Sequence, residues 1–101
     1  MKLRYTPQAI ADLDEILTYI SENLQNPTAA HGIVDTIARN AAKLKDYPEL
    51  GGLLSAKLGR EVDGRFLISG RYILIYEVGE AVSILRVLDS RLDYMRMIGT
   101  W

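Results

Sequence analysis

The stretch GRYILIYEVGEAVSILRVLD, residues 70–89, decides the fold. Two runs rich in β-branched, aliphatic and aromatic residues, RYILIYEV and AVSILRVL, flank Gly79-Glu80, the pattern of two strands joined by a tight hairpin. With glycine first, a two-residue type II′ turn is expected, pairing Val78 with Ala81. That register sets Ile75 opposite Ile84, Ile73 opposite Arg86 and Arg71 opposite Leu88. Side chains alternate along a strand, so Tyr72, Leu74, Tyr76, Val78, Ser83, Leu85 and Val87 share one face. It carries no charge before Asp89 and is expected to form the core. The other face holds Arg71, Ile73, Ile75, Glu77, Val82, Ile84, Arg86 and Leu88. Charged margins around an aliphatic centre predict an open face that another molecule covers. Arg71 and Arg86 become diagonal neighbours about 7–8 Å apart, and an anion or acidic partner would relieve their repulsion.

Outward from this hairpin, RFLIS (65–69) and the Ser69-Gly70 turn add a third strand to an antiparallel meander. Upstream, Thr6-Pro7 reads as an N-cap followed by proline at the first helical position. Ala9, Leu13, Ile16, Leu17, Ile20 and Leu24 then recur at helical spacing. Asn26-Pro27 repeats the cap signal, and Ala30, Ile33, Val34, Ile37, Ala41 and Leu44 form a second stripe ending before Tyr47-Pro48. The short ENLQN link makes the two helices an antiparallel hairpin. MKLRYT is β-prone and is expected to supply a first strand. PELGGLL is turn-like, and the residues from there to Gly64 carry no assignable pattern. From Arg91 a short helix or tail is expected, ending in Met95, Met97, Ile98 and Trp101, either folded back on the sheet or presented as a docking patch. The fold class is α+β: an N-terminal strand, a helical hairpin, an antiparallel sheet and a short C-terminal segment, in one domain over residues 1–101.

Composition narrows the function. At 101 residues the chain supports one modest core, and 49% hydrophobic with 25% charged residues is an ordinary globular mixture. Without cysteine there is no disulfide and no thiolate metal site, and no residues stand at metal-ligand spacing. No apolar run approaches the ~20 residues of a membrane span, and no signal peptide is apparent, so a cytoplasmic protein is expected. A net charge of −1 excludes a broad basic surface for nucleic acid. The charge is uneven, however: six of the eight arginines (Arg60, Arg65, Arg71, Arg86, Arg91 and Arg96) lie after residue 56. A local cationic site is therefore compatible with the sequence. So is a solvated sheet rim in which these arginines pair with Asp89, Asp93 or Glu77.

Taken in order, TPQAIADLDEILTYISENLQNPTAAHGIVDTI, LKDYPELGG, RFLISGRYILIYEV and ILRVLDSRLDYMRMI resemble the RelE/ParE toxin superfamily of bacterial type II toxin–antitoxin systems. The resemblance spans almost the whole chain. It implies a growth-inhibiting toxin neutralised by a cognate antitoxin protein, with contact to operator DNA only through that antitoxin. ParE-like members inhibit DNA gyrase; RelE-like members cleave mRNA on the ribosome without a metal. A decayed toxin kept as corepressor is a third possibility. No cofactor is implied, and no membrane.

Residue by residue, Arg71 in GRYILIY matches the RelE-like strand arginine that contacts the scissile phosphate. Arg91 matches the arginine after the last strand, and Tyr94 falls near a C-terminal tyrosine that orients the nucleophile. Guanidinium groups suit that task because they bind phosphate bidentately and stabilise charge building on it. If the chain is a nuclease, Arg71, Arg91 and Tyr94 are its catalytic set. If it acts by binding, Arg71, Arg86, Ile73, Ile75, Ile84, Met95 and Trp101 are the expected contacts to antitoxin or target. Several features depart from the ribosome-dependent members. Lysines are few around the site, the lone His31 sits in the second helix, the pI is about 5.8, and the helical hairpin is long and alanine-rich. These features favour gyrase inhibition over RNA cleavage.

Overall fold

The computed structural model describes residues 1–91 and Arg96. Strand β1 (Lys2–Tyr5) leads into helix α1 (Pro7–Asn23) and, after a short link, helix α2 (Pro27–Ala42). Both caps form as their sequences require. Thr6 Oγ1 accepts from the Ala9 amide at 3.2 Å, and Asn26 Oδ1 accepts from the Ala29 amide at 3.1 Å. A 3-10 turn (Lys43–Lys45) carries α2 into the loop before β2 (Gly52–Leu53) and the short helix α3 (Leu54–Leu58). Strands β3 (Arg65–Ser69), β4 (Tyr72–Val78) and β5 (Ala81–Asp89) complete the chain order.

The five strands form one mixed sheet in the order β1-β5-β4-β3-β2. β1 runs parallel to β5, while β5, β4, β3 and β2 pair antiparallel in sequence. The helical hairpin packs on one face, where Ala9, Ile37, Ala41 and Leu44 meet Tyr72, Leu74, Tyr76, Val82, Ile84 and Val87. Gly70 adopts a φ of +60° at the first position of the two-residue β3–β4 turn, a conformation that costs glycine little.

The central hairpin differs from its sequence expectation in two places. Val78 pairs with Val82 rather than Ala81, leaving Gly79, Glu80 and Ala81 as a three-residue connection closed by the Gly79 amide on the Ala81 carbonyl at 3.0 Å. Gly79 does not take the positive φ of a type II′ turn. The one-residue shift reverses the faces of β5 near the turn, so Val82 and Ile84 point beneath the helices. A bulge then inserts Leu85 between Ile84 and Arg86 and restores the expected parity at Val87 and Leu88.

The expected open face is also covered. α3 lays Leu54 and Leu58 over Ile73, Ile75 and Leu88, joined by Val62, Phe66 and Leu85, to make a second small core. Ile73, Ile75 and Ile84 have no exposed surface at all. They are packing residues in this structure, not an exposed contact surface: Ile84 through the register shift, Ile73 and Ile75 through the residues around α3 whose pattern was unreadable.

Candidate functional site

Where β1 stops pairing, α1 takes over the edge of β5. The Thr6 amide donates to the Ile84 carbonyl at 3.0 Å and the Thr6 hydroxyl to the Leu85 carbonyl at 3.0 Å. One helical turn later Asp12 accepts three hydrogen bonds. Arg86 Nε donates to Oδ2 at 2.8 Å, Arg86 Nη2 to Oδ1 at 3.0 Å, and the Val87 amide to Oδ2 at 2.8 Å. Both side chains are buried, and the carboxylate raises the Arg86 pKa chiefly through its hydrogen bond. Arg86, expected from the sequence as a contact for a partner, is instead the pin that fixes α1 to the sheet. The predicted Arg71–Arg86 repulsion is relieved within the chain, Arg86 pairing with Asp12 and Arg71 lying beside Asp89.

Arg71 lies in the β3–β4 turn, and the end of β5 is clipped to it. The Ser90 amide and hydroxyl both donate to the Arg71 carbonyl, at 2.8 and 2.6 Å. This clip places Asp89 between two arginines. Arg91 Nη2 donates to Asp89 Oδ2 at 2.9 Å, Arg91 Nε to Oδ1 at 3.2 Å, and the Arg91 amide also to Oδ1 at 2.9 Å. Arg71 Nε stands 3.6 Å from Asp89 Oδ2, donates to the Tyr72 hydroxyl at 3.2 Å and stacks 5.3 Å from the Tyr72 ring centre. The Arg91 hydrogen bonds hold the Asp89 carboxyl below the ordinary carboxylate range, and Asp89 in turn raises the Arg91 pKa.

Exposure separates the members of this corner. The Asp89 side chain is 15% exposed, Arg71 36% and Arg91 61%. Beside the corner a cleft of about 380 Å³ opens between α1 and β5, with Ile16, Tyr19, Tyr72, Val87, Leu88 and Arg91 among its lining residues. The structure brings Arg71 and Arg91 together on Asp89. Arg86 lines the same cleft but is committed to Asp12. Tyr94, Met95 and Trp101, the remaining expected site residues, lie outside the described residues. Asp12, Tyr19 and Tyr72 were not anticipated. Asp89 was foreseen only as a rim partner, and the signal for its larger part is its place two residues before Arg91, where its carboxylate reaches both the amide and the guanidinium. Among the described residues, no group of three or more His, Asp or Glu side chains is placed to hold a metal ion. No helix among them is long and apolar enough to cross a membrane.

Comparison with known families gives this arrangement its setting. The family described as "ParE toxin of type II toxin-antitoxin system, parDE" matches residues 3–94, which include the whole corner. The chain belongs to the ParE toxin family. A solved structure of a chromosomal ParDE toxin–antitoxin system from P. aeruginosa superposes with a TM-score of 0.73 at 28% identity, covering 88% of this chain and 95% of that one. No curated protein sequence matches. This ParE-family chain is accordingly the toxin component of a type II toxin–antitoxin system, with the α+β architecture of its relatives.

Proposed function

We propose that this toxin acts as a ParE-like inhibitor of DNA gyrase in the cytoplasm, silenced by its cognate antitoxin, which alone contacts operator DNA. The observation that carries the reading is the state of the Arg71–Asp89–Arg91 corner. A metal-independent ribonuclease needs a group that can take the ribose 2′-hydroxyl proton near neutral pH. Asp89, the carboxylate at the corner, is held charged and low in pKa by Arg91 and tied in three hydrogen bonds to that residue. His31 is exposed on α2, away from the residues of the cleft. Among the described residues, to which Tyr94 does not belong, the corner is suited to binding rather than to proton transfer.

The ribosome-dependent reading draws on one feature, the convergence of Arg71 and Arg91 on a single carboxylate, where a phosphate would be held equally well. The two are separated by adding the purified chain to gyrase supercoiling reactions and, in parallel, to translating ribosomes with primer-extension mapping of the mRNA. Dose-dependent loss of supercoiling with intact mRNA is expected. Cleaved mRNA with normal supercoiling would overturn the proposal, and inactivity in both assays together with full viability on expression alone would leave a corepressor.

A further inference from the structure

α3 covers only part of its sheet face. It lies over Ile73, Ile75 and Leu88, while toward the β4–β5 connection the same face is open. Arg4, Ser83 and Glu77 stand side by side there on β1, β5 and β4, on the face opposite the helical hairpin. They line a cleft of about 720 Å³ that also takes in Asp63, Arg65 and Glu80. Of these charged side chains, none pairs with an opposite charge among the described residues. Both guanidinium groups turn to neutral oxygens instead. Arg4 Nε donates to the buried Ser83 hydroxyl at 2.8 Å, and Arg65 Nη2 to the Gly51 and Glu49 carbonyls at 2.9 and 3.3 Å. Asp63, Glu77 and Glu80 are thereby left without a cation, and Leu53 and Val78, 52% and 42% exposed, border them with apolar surface. Such unspent carboxylates repel nucleic acid and attract a cationic side chain from outside.

We propose that this open half of the sheet docks a basic loop of the toxin's target, setting lysine or arginine side chains against Asp63, Glu77 and Glu80 and apolar side chains against Leu53 and Val78. The inference rests on the proposed action on gyrase, an enzyme that holds DNA and so presents basic surface. A free polyamine would answer the carboxylates but leave Leu53 and Val78 uncovered, whereas a protein segment covers both. The cleft lies at the other end of β4 from Arg71 and on the other sheet face from α1 and α2, so it is a surface separate from the Arg71–Asp89–Arg91 corner.

The test measures binding of purified gyrase to the chain recovered from its co-expressed complex, by interferometry over a series of salt concentrations. Glu77→Lys/Glu80→Lys is expected to weaken binding about tenfold or more and to flatten its salt dependence. Leu53→Ala is expected to weaken it about threefold or more with little change in salt dependence. All three side chains are exposed, so unchanged melting curves are expected. Glu22→Lys/Asp35→Lys, an equal charge change on exposed positions of α1 and α2, serves as the control and is expected to bind gyrase as the original does. Binding within twofold of the original for both cleft variants overturns the proposal, as does an equal loss from the control. An equal loss of antitoxin affinity in Glu77→Lys/Glu80→Lys overturns it too, since the cleft would then not be a surface for the target. So does a chain that sediments as a dimer and becomes monomeric in that variant, which assigns the face to a second copy. Failure of the unaltered chain to bind gyrase removes the target and this inference with it, whereas gyrase binding that the cleft variants leave intact removes the inference alone.

Discussion

Replacing Asp12 by alanine removes the acceptor of three buried hydrogen bonds while leaving Arg86, 8% exposed, under α1. Breaking a buried ion pair from one side typically costs about 3–5 kcal/mol, because the remaining charge stays buried without its partner. The Val87 amide loses its acceptor as well, and an unsatisfied buried amide alone costs roughly 1–3 kcal/mol, part of which is already contained in that range. Domains of this size have a total stability of only about 5–15 kcal/mol. Asp12→Ala should therefore lose about 4 kcal/mol in urea unfolding, or roughly 15–30 °C in Tm at 4–8 °C per kcal/mol. The double variant Asp12→Leu/Arg86→Met, which replaces the pair by apolar groups of similar size, should recover most of that loss, since neither charge is then stranded. A loss below about 1 kcal/mol for Asp12→Ala, or strictly additive effects of the two single changes, would refute the reasoning. The double variant also asks whether Arg86 is a contact residue: if its work is structural, antitoxin affinity survives the replacement.

Three further perturbations test other parts of the architecture. Tyr76→Phe removes a buried hydroxyl that accepts from the Gly51 amide at 3.0 Å and donates to the Pro48 carbonyl at 2.8 Å, and should cost about 1–3 kcal/mol by denaturant unfolding, with faster proteolysis of the 46–53 loop. Leu54→Ala takes the main apolar contact of α3 off Ile73 and Ile75 and should cost about 2–5 kcal/mol while increasing binding of a hydrophobic dye; unchanged dye binding would mean that α3 is not the cover of that face. The lowered pKa of Asp89 sets a direction with pH: its ion pairs contribute stability above the ordinary carboxylate pKa and lose it as pH falls through the lower folded value. Asp89→Asn should accordingly flatten the acid limb of the stability profile, and an unchanged limb would remove Asp89 from that account.

Much of the architecture was legible in local sequence. Thr6-Pro7 and Asn26-Pro27 mark helix starts by a mechanism that needs no tertiary information, since the cap bonds lie within three residues. The order β3-β4-β5 follows from turn residues and apolar runs, whereas β2 and the parallel place of β1 beside β5 do not. Register was not legible, because Gly79 permits more than one turn and the Leu85 bulge leaves no local mark. The fate of the second sheet face depended on α3, five residues long and too short for a periodic pattern. The site divides along the same line. Arg71 and Arg91 were readable as a pair by resemblance, whereas Arg86 was misplaced because its partner Asp12 is 74 residues away and sits on a helix face that reads as solvated. Ionic partners chosen by tertiary packing leave no periodic trace. Asp89, two residues before Arg91, does.

Growth arrest by this ParE-family toxin is proposed to run through gyrase. Inducing the chain alone in bacteria and following DNA and protein synthesis by pulse labelling over the first minutes tests it most directly. Early loss of DNA synthesis while translation continues is the predicted result. A prompt halt of translation with DNA synthesis continuing would contradict it.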